Sequence, residues 1–489
     1  MATIDEIRKN RLKKLEVIKR AGFLPYPEKT KRTNTIVEAI LNFNSLAKSK
    51  KEIVLAGRIK SQRGHGGSAF LDIEDGTGKL QAFLRKDRVG EKGYKFFLDN
   101  FDIGDFIEIR GILFETKKGE KTIEVADYKI LSKSLLPLPE KWHGLQDVEE
   151  RFRKRYLDMI FNPEVREKSV LRSKIIKEIR DFFWGEGFLE VETPVLQPIY
   201  GGTEAKPFKT HLNALDIDLY LRIAPELYLK RLIVGGFEKV FEIGKCFRNE
   251  GVDRFHNPDF SEAEFYWAYA DYKDVMKLTE KLFTTILKNL FGKSKIKYNG
   301  KEINFKIPWK RIEYQTLIRD EAKIDVETIN REGLLKKAKE LGVKIEPKMT
   351  KFQLEDAIYK KFCLPTLWQP TFVIHHPSGS LPLAKQLDSD PTKLGSVQII
   401  VGGWELGKAY SELNDPLKQY DNFKEQEKIF VSGVEDAQRM DKDYVEALEY
   451  GMPPCGGWGM GIDRLTALLT DSHSLREIIL FPTMKPKDK

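Results

Sequence analysis

Residues 241–269, FEIGKCFRNEGVDRFHNPDFSEAEFYWAY, constrain this chain more than any other stretch. FEIGKCFRNE alternates apolar and polar positions, and FSEAEFYWAY is aromatic-rich in the manner of buried strands. GVDRFHNPD supplies turn formers around Arg254 and His256, so the stretch predicts two strands joined by a charged loop. Glu242, Arg248, Glu250, Glu262 and Glu264 stand inside segments that otherwise belong to a core. Charge placed there has to be paired or has to bind something. An ion-paired sheet in a large α/β enzyme meets that demand, and so does a ligand site.

The chain of 489 residues is long enough for two or three domains. With 41% hydrophobic and 32% charged residues and no long apolar run, it reads as a soluble globular protein without a membrane span. The stretch MATIDEIRKN lacks a signal-peptide apolar region, which makes the cytoplasm the expected location. Cys246, Cys363 and Cys455 form no CxxC pair, against a disulfide framework or a zinc ribbon. The net charge of +9 fits a polyanionic partner such as RNA, although charge alone is a weak indication.

Ile4 to Ala21 predicts a basic amphipathic helix with Ile4, Ile7, Leu12, Leu15 and Ile18 on one face. A membrane surface, packing on the next domain with the basic face toward RNA, and a solvated basic face all remain open. After this lead-in (1–50), residues 51–134 run strand, strand, strand, helix, strand, strand, the order of an OB-fold barrel. Phe70, with Arg58, Arg63 and Gln81 near it in the sheet, makes a single-stranded nucleic-acid face, or Phe70 is barrel core. A proline-containing linker (135–160) leads to a large domain (161–489), with an inserted helical region at about 298–370.

In the large domain a helix from Glu164 to Trp184 carries Leu171, Ile175, Ile179 and Phe182 or Phe183 on one stripe, and the strand after it ends at Pro194. Gly201 and Gly202 would let backbone approach a ligand. Glu226, at a helix start, caps that helix or holds an ammonium. Glu405 and Glu412 lie seven apart, on opposite faces of a regular strand, so a bulge at the glycine or a turn must intervene. CGGWGMGIDRLTALLT sets Gly457, Gly459 and Gly461 at alternate positions before Asp463 and Arg464. Those glycines leave the strand open to a flat ring. No GKS or GKT follows, so the segment is not a P-loop.

FRNEG followed by HNPDF and E-x-Y resembles motif 2 of the class II aminoacyl-tRNA synthetases, and within them the lysyl enzymes. The helix and strand ending at Pro194 resemble motif 1, and Gly457 to Arg464 resemble motif 3. HGLQD…RFRKRYLD matches the lysyl family at the domain junction, and the likeness extends over nearly the whole chain. It implies an α+β protein: an N-terminal OB-fold β-barrel for the anticodon, plus a catalytic domain built on an antiparallel β-sheet flanked by helices. It implies a lysine–tRNA ligase that makes lysyl-adenylate from ATP and lysine and passes the lysyl group to the 3′ end of tRNA(Lys). The motif 1 element would build a homodimer, and Mg2+ would be the cofactor.

By the same resemblance Arg248 and Arg464 are catalytic, Arg248 bridging the lysine carboxylate and the α-phosphate. Phe260 and Arg464 sandwich adenine, Glu250 accepts from its amino group, His256 lies near the terminal phosphates, and Glu405, Gly459 and Gly461 complete the ATP site. Gly202 and Glu226 meet the α-amino group, while Glu264, Tyr266, Tyr410 and Glu412 surround the side chain. Glu405 is the metal ligand, with Gln398 and Glu412 as secondary candidates; Arg58, Arg63, Phe70 and Gln81 meet the anticodon. Two residues depart from the pattern. Gln398 stands where the lysyl enzymes have a carboxylate, and Lys408 where they have asparagine. An aspartyl or asparaginyl enzyme, a protein-modifying paralogue and a non-catalytic RNA-binding paralogue are the competing readings.

Overall fold

Five strands whose inward positions are apolar close into a barrel: β1 (Ile53–His65), β2 (Ser68–Glu74), β3 (Lys79–Arg85), β4 (Phe106–Glu115) and β5 (Lys121–Ser132). Burial alternates residue by residue along β2 and β3, which gives the barrel a filled inside and a polar outside. The order is β1-β2-β3-β5-β4, with β4 pairing back to β1 and β3 lying parallel to β5. The computed structural model describes residues 3–139, 147–346, 349–431 and 438–487, and these fall into two units, Met1–Gln146 and Asp147–Lys489. The HGLQ of the junction motif lies outside the described residues.

The first helix, α1 (Ile4–Arg20), starts on a capping box between Thr3 and Glu6. Its buried face is not the apolar row expected from spacing alone. Leu15 and Ile18 are inside, whereas Ile4 is 65% exposed. Arg11 takes a place on the inner face instead, donating to the carbonyls of Ser134, Leu136 and Ile103 at 3.0–3.1 Å. Four acceptors converging at the end of the barrel explain a buried guanidinium there. Ile18 shares a core with Ile36, Phe43 and the barrel interior, so the helix packs on the barrel.

The second unit is built on eight strands: β6 (Leu189–Glu190), β7 (Lys239–Phe247), β8 (Asp259–Ala268), β9 (Lys310–Glu313), β10 (Thr371–Ile374), β11 (Ser396–Val401), β12 (Trp404–Ser411) and β13 (Cys455–Gly461). Their order is β9-β10-β11-β12-β13-β8-β7-β6. The interior is antiparallel, as expected, but both edge pairs, β6/β7 and β9/β10, are parallel. Helix α2 (Pro163–Gly185) lays Ile175, Ile179, Phe182 and Phe183 on the back of this sheet, over Phe241, Phe265 and Trp458. Helix α3 (Glu226–Val234) leads into β7. Between β8 and β9 the chain forms a helix, Tyr272–Phe291, and a hairpin, Lys295–Tyr298 with Lys301–Asn304.

The region expected as a helical insertion at 298–370 is therefore part hairpin, part sheet edge, and helical only from Tyr314 onward. Its helices, including α4 (Lys351–Ile358), enclose a core of their own that reaches Val373 and Ile400 of the sheet. Glu355 is buried there, and burial raises its carboxyl to about 7 although Lys351, 3.8 Å away, opposes the shift. The folded state thus holds this proton more tightly than the unfolded chain. Its contribution is complete below the unfolded value of 4.5 and is lost as pH rises through about 7. Between pH 4.5 and 8 this carboxyl should cost about 3 kcal/mol of stability. Urea unfolding of Glu355→Gln at both pH values should show that part of the pH slope removed; an unchanged slope would refute the assignment.

Candidate active site

Side chains repeat every second residue along a strand, so strand register decides which groups share the open face of the sheet. On β8 and β13, Glu262 pairs with Gly461, Glu264 with Gly459 and Tyr266 with Gly457. Across β12, Gly459 pairs with Lys408 and Gly457 with Tyr410; across β11, Lys408 pairs with Gln398. A register shift between Ile399 and Ile400 leaves Leu406 as an extra residue in β12. This is the bulge that the seven-residue spacing of Glu405 and Glu412 required, and both now face one cavity. The cavity measures about 410 Å³ and contains every expected ATP and amino-acid residue of this unit.

One end of the cavity is acidic. Helix α3 places Glu226 and Lys230 one turn apart, and Lys230, with no exposed surface, lies between two carboxylates. Its Nζ donates to Glu226 Oε1 at 2.6 Å and forms an ion pair with Glu412 Oε2. Burial alone would lower the Lys230 pKa; Glu226 and Glu412 outweigh it and hold the ammonium charged well above the usual lysine range. The Tyr410 hydroxyl donates to Glu226 Oε1 at 2.7 Å, and the Tyr266 hydroxyl to Glu264 Oε2 at 3.3 Å. Glu264 has no cationic partner within ion-pair distance among the described residues. Burial, then Glu262 and Glu226, push its carboxyl well above the ordinary range. Glu412 Oε1 is buried without a hydrogen-bond partner. Glu412 Oε1 thus faces the cavity unanswered, and Glu264 faces it with the Tyr266 hydroxyl as donor and no cation. Gly202, at φ +95°, packs against Glu226, where a Cβ would fall 2.9 Å from the Glu226 Cβ.

The other end is basic. Arg248 lies over the Phe260 ring at 4.8 Å, with Nη2 3.9 Å from Glu262 Oε2. Arg464 donates to the Glu405 carbonyl at 2.8 Å and meets His256 Nε2 at 3.3 Å, while His256 Nδ1 lies 3.0 Å from Asp253. The cation stacked on Phe260 here is accordingly Arg248, and Arg464 bounds the space beyond. Glu250 is exposed at the rim. Gln398 donates its amide to Glu405 Oε2 and accepts from the Tyr359 hydroxyl at 2.7 Å. Lys408 Nζ lies 3.8 Å from Glu405 Oε1. Burial pushes the Glu405 carboxyl up, but Lys408, Arg464 and Lys360 outweigh it and hold it below the usual range.

Not every charge in the organising hairpin serves the cavity. Glu242 is buried against Arg222 and accepts from Thr193 at 2.7 Å, the ion-paired reading at that position. Lys230, Asp356 and Lys360 were not foreseen. An i,i+4 spacing from Glu226 was the available sign for Lys230; Asp356 and Lys360 come from the insertion, and no local pattern marks them. On the barrel, Arg63 pairs with Phe70 and Gln81 with Asp72, so Arg63, Phe70 and Gln81 share one outer face. Phe70 is half-buried and stacks on Phe83 at 4.5 Å, and Phe83 in turn lies 6.0 Å from Phe114. The ring belongs to that outer patch, because Ala69 and Leu71 fill the core. Arg58 lies in the middle of β1, over the Phe106 ring at 4.3 Å.

A five-stranded barrel with an outward aromatic patch, and a second unit whose sheet carries an acid-and-base-lined cavity, describe a two-part enzyme for a nucleotide and a cationic small molecule. Residues 147–485 match the family described as tRNA synthetases class II (D, K and N), and residues 53–131 match the OB-fold nucleic acid binding domain. The chain belongs to that class II synthetase family. It is 49% identical over 486 residues to the lysine–tRNA ligase of Carboxydothermus hydrogenoformans, covering 99% of each chain. It is 47% identical to that of Pelotomaculum thermopropionicum (99% of this chain, 96% of the relative) and 50% identical to that of Aquifex aeolicus (90% and 74%).

The glycines of β13 are not interchangeable. A Cβ on Gly457 would overlap Glu412 Oε1 and come within 2.7 Å of Tyr266 Cε1, whereas one on Gly461 meets only Arg464 carbons at 3.8 Å. Gly457→Ala should lower stability by about 1–3 kcal/mol in chemical denaturation. Gly461→Ala should stay within about 0.5 kcal/mol of the parent; equal effects would show that Gly457 is not holding space for Glu412.

Proposed function

We propose that this protein is a lysine–tRNA ligase, joining lysine to ATP as lysyl-adenylate and then to the 3′ end of tRNA(Lys). One observation carries the substrate choice: Glu226, Glu264 and Glu412 converge on the cavity with one internal cation, Lys230, among them. With Lys230 answering one carboxylate, two carboxyl groups are left for a ligand, that of Glu264 giving up a proton as it binds, and lysine brings an α- and an ε-ammonium. An aspartyl or asparaginyl substrate would add a carboxylate or an amide to that excess of negative charge and leave it uncompensated.

In activation the lysine carboxylate attacks the α-phosphorus, a P–O bond forms, and pyrophosphate leaves with the electrons of the bond it breaks. The nucleophile is already ionised, so alignment and charge neutralisation are what the site must provide. Arg248, between the Phe260 ring and Glu262, stands where the acidic and basic ends meet and has the forked geometry that carboxylate and phosphate accept. Arg464 and His256 face the phosphate side, Gly459 and Gly461 leave room for the base, and Glu250 offers an acceptor at the rim.

Magnesium is the cofactor the family resemblance implies, and it would neutralise phosphate charge. The residues do not fit an ion held by the protein's own carboxylates. Glu405 stands among cations, Gln398 turns an N–H toward it, and Glu412 belongs to the lysine end, paired with Lys230. No cluster of three acidic, His or Cys groups suited to a metal occurs among the described residues.

Arg63, Phe70 and Gln81 on the barrel are proposed to meet the anticodon, with Phe83 extending the stacking surface. A homodimer through the motif 1 element is supported by exposed Val170 and Trp184 on α2 and by exposed Leu189, Val195 and Leu196 after it; a one-chain mass in sedimentation would exclude it. Among the described residues no helix is long and apolar enough to cross a membrane. The three buried free thiols agree with a cytoplasmic setting.

Amino-acid-dependent ATP–pyrophosphate exchange should respond to lysine and to neither aspartate nor asparagine; exchange with none of the twenty would leave an RNA-binding paralogue as the reading. Glu264 must give up its proton to accept an ammonium, so lysine binding should release protons, measured calorimetrically in buffers of different ionisation heat. Glu264→Gln should raise the lysine KM by about tenfold or more and abolish that release. Phe70→Ala should leave exchange unaltered and raise the KM for tRNA by about tenfold; a parallel loss of exchange would make Phe70 merely structural.

A further inference from the structure

The basic end of the cavity is organised around a carboxylate that has been given to side chains. Gln398 lies in β11, opposite Lys408 of β12, and its amide is clamped from both sides. Glu405 Oε2 can only accept, so the Gln398 NH2 faces it, and the Gln398 oxygen is turned to the Tyr359 hydroxyl at 2.7 Å. A magnesium ion needs octahedral oxygen ligands. At this point it would meet an N–H, while the nearest amide oxygen already accepts from a tyrosine. The other Glu405 oxygen faces Lys408 at 3.8 Å.

Two more cations border the same space. Arg464 is fixed by its bond to the Glu405 carbonyl at 2.8 Å. Lys360 reaches the cavity from a single π turn, Tyr359–Cys363, and is paired with Asp356 at 2.7 Å. That irregular turn also carries Tyr359, so one distortion of the backbone delivers both the clamp on Gln398 and a lysine. Lys408 is half exposed toward the cavity, with a flexible stem able to leave Glu405 for a stronger anion.

We propose that Lys408, Lys360 and Arg464 themselves supply counter-charge to the triphosphate of ATP, so that nucleotide binding in this chain depends little on a divalent cation. The proposal rests on the ATP-using reading above, and it deepens the basic end of that site. Gln398 acts here as a positioning residue: it holds Glu405 in place as the resting partner of Lys408. When the triphosphate enters, Lys408 exchanges one anionic partner for another, and no bond is made or broken.

The test is ATP binding by calorimetry to the full chain, in excess Mg2+ and in excess EDTA, with electron paramagnetic resonance counting Mn2+ in the complex. The parent should lose less than about tenfold in affinity when the divalent ion is chelated. Lys408→Asn should weaken metal-free binding by about tenfold or more and Mg–ATP binding much less. Gln398→Glu should gain a Mn2+ ion bound with ATP that the parent lacks. A parent loss of tenfold or more on chelation overturns the proposal, as does a Lys408→Asn loss equal in both conditions. Thermal melts check that each variant is folded, and the parent measurement decides even where a variant is not. Failure of the ligase reading would show as no exchange with lysine in Mg2+; failure of this proposal alone would leave that exchange intact.

Discussion

The site depends on the ammonium of Lys230 buried between Glu226 and Glu412. Removing three charges from water carries a penalty that mutual attraction offsets only in good geometry. Here the geometry comes from three separate places in the chain. Helix α3 sets Glu226 and Lys230 one turn apart, the end of β12 presents Glu412, and Gly457 on β13 leaves the volume Glu412 fills. Tyr266, Tyr410 and Tyr444 ring the ammonium at 5.6–5.9 Å, so its surroundings are aromatic faces as well as carboxylates. With Lys230 fixed, Glu412 Oε1 has no hydrogen-bond partner, and Glu264 has no cation, only the Tyr266 hydroxyl.

The extra residue in β12 divides this acidic end from the basic one. Without it, Glu405 and Glu412 would lie on opposite faces of the sheet, and one of them would point into the apolar layer under α2. The bulge costs one ladder pairing and lets a single strand contribute to both ends of the cavity. Hairpin β7–β8 does the same on the other side. Glu264 serves the acidic end, Arg248 and Phe260 stand between the two, and Glu242 is spent on Arg222 to hold the hairpin against the preceding segment.

What could be recognised beforehand follows the range of the interaction. The barrel order, the organising hairpin, the need for a bulge and the alternate glycines of β13 are written in spacings of a few residues, and each is found. Period-3.6 reasoning failed at α1 because it sorts residues by polarity. Four backbone and hydroxyl acceptors at the barrel end made a buried Arg11 cheaper than a buried Ile4. Gly457 was expected to open the strand to adenine, and its space is filled by Glu412. Lys230 escaped notice because its second partner, Glu412, lies far along the chain, and Lys360 because it stands in a π turn that no propensity marks. The parallel edge strands are likewise settled by what flanks the sheet, since two- and four-residue strands carry too little pattern of their own.

The two departures from the family pattern make physical sense only together. Replacing a carboxylate by Gln398 removes a negative charge beside Glu405, and placing Lys408 across the ladder from it adds a positive one. Either change alone would leave an imbalance: a lone Glu405 facing phosphates, or a lysine competing with a metal for two carboxylates. Combined, they move the local charge by two units in the same direction, toward the sign that a polyanion needs. The Tyr359 hydroxyl then takes the amide oxygen, which a carboxylate at 398 would have offered to a cation. The hydrogen-bond pattern and the charge pattern therefore both favour an anion over a cation beside Glu405.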